Sequence, residues 1–196
     1  TTTVQTTTTQ QVSIANETAV STTSSGTSVS QATAAASSSQ NQSKYEANVA
    51  SVAGKMDNRV IAAYQQLGFK IVVDPSVNYS GYFDARSRSI TMKQIDDSVY
   101  HELGHFLAFI AGNVDKTASF QSIFAAEKAN VTAFNKAYVT QNASEYFAES
   151  VKDYILNNAS LKSTRPQTYA AVQNALNQIT DAQIAKIQKI YGAFWN

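Results

Sequence analysis

Fold-forming residues are confined to the later part of this 196-residue chain. Residues 1–43 contain one charged residue, Glu17, no aromatic side chain, and 22 Ser or Thr. So few large apolar groups do not offset the entropy of ordering a backbone. A disordered Ser/Thr-rich tail is therefore expected over residues 1–43, of the composition of a flexible or glycosylated stalk. The sequence opens on Thr1, and a mature secreted chain whose leader has been removed is the expectation. Six Asn-x-Ser/Thr sequons, at Asn16, Asn41, Asn78, Asn130, Asn142 and Asn158, are what a chain rich in these residues holds by accident. All 15 Lys and Arg, every aromatic and both histidines fall in residues 44–196. That stretch is long enough for one domain with its own core.

Composition narrows the chemistry. With no cysteine there is no disulfide framework, thiolate metal site or cysteine nucleophile. A net charge of +1 gives no basic footprint for nucleic acid. No run reaches the roughly 20 apolar residues of a membrane span. Secretion without cysteine suits a Gram-positive bacterium, with the protein free outside the cell or held at its surface.

Hydrophobic spacing predicts an α+β domain, mostly helical with a small sheet. Tyr45 to Leu67 has helical spacing, with Gly54 as a break and Gly68 as a stop. Phe69 to Asp74 reads as a strand, Pro75 to Arg86 as a loop, and Ser89 to Lys93 as a second strand. Asp96 or Asp97 then caps a helix whose Val99, Leu103, Phe106, Leu107 and Ile110 make one buried stripe. Ser119 to Ala137 is helical in parts, and Ala143 to Asn157 is a further helix. Pro166 opens a helix to about Ile179, and Thr180 caps a last one to about Tyr191, with Phe194 and Trp195 packing there.

Both histidines lie in His101-Glu102-Leu103-Gly104-His105, on the helix with the buried stripe. Residues i and i+4 differ by about 40° around a helix and about 6 Å along it. Two imidazoles so placed converge on one Zn²⁺, and Glu102 reaches a metal-bound water without displacing a ligand. A catalytic zinc takes three protein ligands. With no histidine left, the third is a carboxylate. Glu145, Glu149 and Asp153 share one face of the Ala143–Asn157 helix, beside apolar Phe147, Val151 and Tyr154. Spacing selects this helix and leaves Glu145 and Glu149 as alternatives.

The pair of motifs, His-Glu-Leu-Gly-His-Phe and Glu145-Tyr-Phe-Ala-Glu149, resembles the catalytic domain of anthrax lethal factor and the clostridial proline-proline endopeptidases. These are secreted zinc metallopeptidases of the gluzincin type. The resemblance runs over about residues 56–195 and implies a zincin-like metallopeptidase domain over residues 44–196. It makes Glu145 the third ligand to one Zn²⁺, with His101 and His105. It places Glu149 behind a ligand histidine and gives Tyr138, seven residues before Glu145, to the oxyanion. Glu102 is then the general base. Ile90, Thr91, Met92 and Lys93 are the expected edge for an extended polypeptide substrate to pair with. Ser144 departs from the proline-proline branch, which carries an acidic residue there, so that cleavage preference is not carried over. The chain is thus read as a secreted, monomeric zinc endopeptidase that neither binds nucleic acid nor inserts in a membrane. The alternative from another class is a non-catalytic, zinc-containing adhesin-like module on a Ser/Thr stalk.

Overall fold

A computed structural model describes residues 43–195. The Ser/Thr-rich segment lies, but for Ser43, outside the described residues. The elements run β1 (Tyr45–Ala47), α1 (Val49–Val52), α2 (Asn58–Gln66), β2 (Lys70–Val73), β3 (Gly81–Asp84), β4 (Ser89–Met92) and α3 (Ser98–Ile110). They continue through α4 (Ala118–Glu127), α5 (Lys136–Val139), α6 (Ala143–Leu156), α7 (Asn158–Thr164), α8 (Pro166–Asn177) and α9 (Asp181–Tyr191). The outcome is the expected α+β architecture, mostly helical with a small mixed sheet. Among the described residues no helix is long and apolar enough to cross a membrane.

The sheet order is β1-β2-β4-β3. β2 and β4 pair in parallel, with Ile71 opposite Ile90 and Val73 opposite Met92. All four side chains are buried, so the period of two turns one face of the central strands into the core. β1 pairs antiparallel with β2, and β3 antiparallel with β4. Two of these strands differ from the sequence expectation. Tyr45–Ala47 is a strand because the open side of β2 accepts its backbone, and Asn48 starts α1 only after it, its side chain accepting the Ala50 amide at 2.9 Å. Gly81–Asp84 lies inside the expected loop and is held by pairing with β4.

This second difference corrects the expected substrate edge. Ile90, Thr91 and Met92 have β2 on one side and β3 on the other, and the Lys93 amide donates to the Ser80 carbonyl at 3.0 Å. β4 therefore has no free edge, and β3 is the outer strand.

α3 lies against the sheet with Val99, Leu103, Phe106, Leu107 and Ile110 all fully buried, as its spacing predicts. Asp96, not Asp97, bonds the start of this helix, accepting the Ser98 amide at 2.9 Å. Phe69, Phe83, Phe106 and Phe109 form an aromatic cluster between sheet and helix. Trp195 closes it, its ring 5.8 Å from Phe69 and its indole N–H donating to the Ala85 carbonyl at 2.9 Å. Phe194 was expected to pack there too; instead it is exposed, because the final turn buries only its neighbour.

α6 packs directly on α3. A Cβ built on Gly104 would lie 2.7 Å from both the Cα and the carbonyl oxygen of Ala148. The two backbones thus come close at a point where α3 carries Gly104 and α6 the small Ala148. Gly104→Ala should force the helices apart, at an overpacking cost of about 1–3 kcal/mol. For a domain of this size that lowers the melting temperature by roughly 3–10 °C in scanning calorimetry. An unchanged melting point would show that the contact gives way without cost.

Candidate active site

Three elements meet at one cleft. α3 carries His101, Glu102 and His105, α6 carries Glu145 and Glu149, and α5 carries Tyr138. Because the core stripe of α3 faces inward, His101 and His105 are turned toward α6, with ring centroids 5.0 Å apart. α6 is started by Asn142, whose side chain accepts the Glu145 amide at 2.9 Å. That bond fixes the first turn of α6, where Glu145 stands.

The distances separate the two glutamates that spacing leaves open. Glu145 Oε2 lies 3.1 Å from His101 Nε2 and 3.6 Å from His105 Nε2. Glu149 Oε2 lies 2.8 Å from the other nitrogen of His101, Nδ1. Glu145 therefore faces both imidazoles, whereas Glu149 stands behind one of them. Asp153, one turn further on, pairs with Arg165 and takes no part. One donor atom from each of His101, His105 and Glu145 lies within 4.8 Å of the other two.

Two imidazoles and a carboxylate form one of the donor sets of catalytic zinc. Their contacts bear on the fit: the carboxylate oxygen sits against both ring nitrogens, so the three donors already face one point. Burial opposes charge on His101, yet hydrogen bonds to Glu145 and Glu149 hold its pKa up at about 9. Glu145 is held well below the usual carboxylate range: burial opposes this, and the two histidines outweigh burial. Glu149 is also lowered, against its burial, by His101 and by Lys152 at 3.4 Å. The donor atoms are thus closely spaced, and a metal ion would compete with the proton on His101.

Glu102 is buried on the sheet side of the cleft, 6% exposed. Burial raises its pKa, partly offset by His101 and His105. β3 covers it so closely that a Cβ on Gly81 would lie 2.6 Å from its Oε1. Tyr138 is half exposed across the cleft, its ring 6.4 Å from that of His101. Burial and the neighbouring Glu145 push the Tyr138 hydroxyl up to about 12, so it stays a proton donor at neutral pH. Ser80, Gly81, Asn135, Tyr138 and Lys152 line the cleft beside His101 and Glu102, enclosing about 400 Å³.

Sequence reasoning missed two features here. Gly81 sits in an apparently polar loop, its one signal being the adjacent aromatics Tyr82 and Phe83. Lys152 is signalled only by its spacing of three from Glu149.

The segment that carries both motifs is lethal factor-like: residues 84–175 match the family model described as anthrax toxin lethal factor, N- and C-terminal domain. A Pro-Pro endopeptidase of Clostridioides difficile (strain 630) is 41% identical over 78 residues, which is 38% of this chain and 34% of the relative. The chain thus matches about a third of that curated relative's length.

Proposed function

We propose that residues 44–196 form a zincin-like metallopeptidase domain of gluzincin type, and that the chain is a secreted zinc endopeptidase of a Gram-positive bacterium. The observation that carries this reading is the meeting of His101, His105 and Glu145 beside a buried Glu102. A non-catalytic zinc module has no need of a buried carboxylate that, like Glu102, neither belongs to the donor group nor holds a ligand imidazole. The lethal factor-like match and the similarity to a Pro-Pro endopeptidase support peptide as the substrate class.

His101, His105 and Glu145 would hold one Zn²⁺. When bound, zinc supplies Lewis acidity, lowering the pKa of a water toward about 7 and drawing charge from the scissile carbonyl. Glu102 takes the proton of the attacking water and passes it to the leaving amine. Glu149 holds His101 through Nδ1, fixing the tautomer that leaves Nε2 free to ligate. The Tyr138 hydroxyl donates to the oxyanion as it forms. The polypeptide lies extended along the free edge of β3, which passes directly over Glu102.

The test is a peptide-library cleavage screen with and without a zinc chelator. Cleavage that the chelator stops and zinc restores supports the reading; chelator-resistant cleavage, or none by zinc-loaded protein, would sink it. Tyr138→Phe removes the oxyanion donor alone. It should lower kcat by about 10²–10³-fold with little change in KM. An unchanged kcat would make Tyr138 a wall of the cleft and no more.

A further inference from the structure

A second, smaller cavity adjoins the metal ligands at His105. It encloses about 170 Å³, and His105, Ser144, Asp115, Phe83 and Phe109 line it. Asp115 stands in the 3₁₀ turn Val114–Lys116 and is 5% exposed. Among the described residues, its carboxylate has one side-chain partner, the Ser144 hydroxyl. Lys116, also at the cavity, is exposed and makes no ion pair with it among the described residues. The carboxylate thus has acceptor capacity left for a cationic group that enters the cavity. Phe83, Phe109 and two alanines line part of the wall, beside polar Asn113 and Lys116, and that apolar part suits the stem of a long cationic side chain and a cation over a ring.

β3 links this cavity to the chemistry. Gly81 of that strand packs on Glu102, and Phe83, two residues on, forms the cavity wall. A peptide stretched along β3 would therefore pass Glu102 and the cavity in turn. The cavity has room for one side chain and none for a second segment of chain.

We propose that Asp115 determines specificity, by receiving a Lys or Arg side chain of the substrate in this cavity, at a fixed position close to the cleaved bond. The proposal rests on the peptidase reading above.

The experiment uses the zinc-loaded full chain and pairs of peptides that differ only in Lys against Met, with the pair moved along the positions flanking the cut. At one position kcat/KM should favour Lys by at least about tenfold. Asp115→Asn keeps the size and an acceptor for Ser144; it should bring that ratio close to one. Lys116→Ala removes the competing cation from an exposed position, so the ratio should rise. Binding supplies a readout apart from turnover: Glu102→Ala protein should bind the labelled Lys peptide more tightly than the Met peptide in fluorescence anisotropy, and adding Asp115→Asn should erase the difference. Cleavage with no preference for Lys at any position overturns this inference and leaves the peptidase reading standing. So does a preference that survives Asp115→Asn, or one that falls in Lys116→Ala. If wild type cleaves no peptide at all, both are overturned.

Discussion

Replacing Glu102 by alanine should all but abolish peptide cleavage while zinc stays bound. Glu102 is not one of the three converging donors, so its removal leaves the metal group intact. On the proposed reading, what is lost is the group that takes and returns a proton, a contribution of about 10²–10⁴-fold. Its burial under β3 makes it hard to replace, because bulk water has little access to that side of the cleft. The measurement is kcat on a cleaved peptide, alongside zinc content by atomic absorption after dialysis. Turnover near wild type with full zinc would remove Glu102 from the reaction. Loss of zinc along with activity would make it a ligand or a structural support.

The second large effect separates Glu145 from Glu149. Removing Glu149 frees His101 Nδ1 and loosens the ring, a change worth about 10–100-fold in metal affinity. Removing Glu145 deletes a donor, so the loss of zinc affinity in Glu145→Ala should be much greater than in Glu149→Ala. Competition with a chromogenic chelator measures both on one scale. The reverse order would mean that Glu149 is the ligand and that Glu145 serves it.

The longer helices were legible in the sequence because they show periodicity and punctuation. Val99 to Ile110 forms one stripe, Gly68 ends a helix at φ of 72°, and Thr180 caps the last helix as a side-chain acceptor, whereas the short helix Asn158–Thr164 carried no such signal. The metal group was legible for a simpler reason: both histidines share one helix, so the third donor had few places to come from. The sheet edges were not legible. Tyr45–Ala47 and Gly81–Asp84 lack the β-branched residues that mark β2 and β4, and their backbones are held by partners that no local pattern reveals. From spacing alone, Glu145 and Glu149 were equivalent, because only the packing of α6 on α3 decides which carboxylate meets both rings. Asp115 was one acidic residue among several after the motif. Its closeness to Ser144 and His105 follows from how the turn after α3 folds back on the start of α6.

The packing of Gly81 over Glu102 makes β3 a ruler. On the proposed reading, a bound peptide would be indexed to that strand through main-chain hydrogen bonds, with the base fixed beside one rung. Sliding the peptide by one residue would turn every side chain to the opposite face. Sliding it by two would restore the faces and carry the target bond about 7 Å past the base. The place of the cut would then be counted in backbone steps from Gly81, and side-chain pockets would choose only which sequences are allowed to dock in that count.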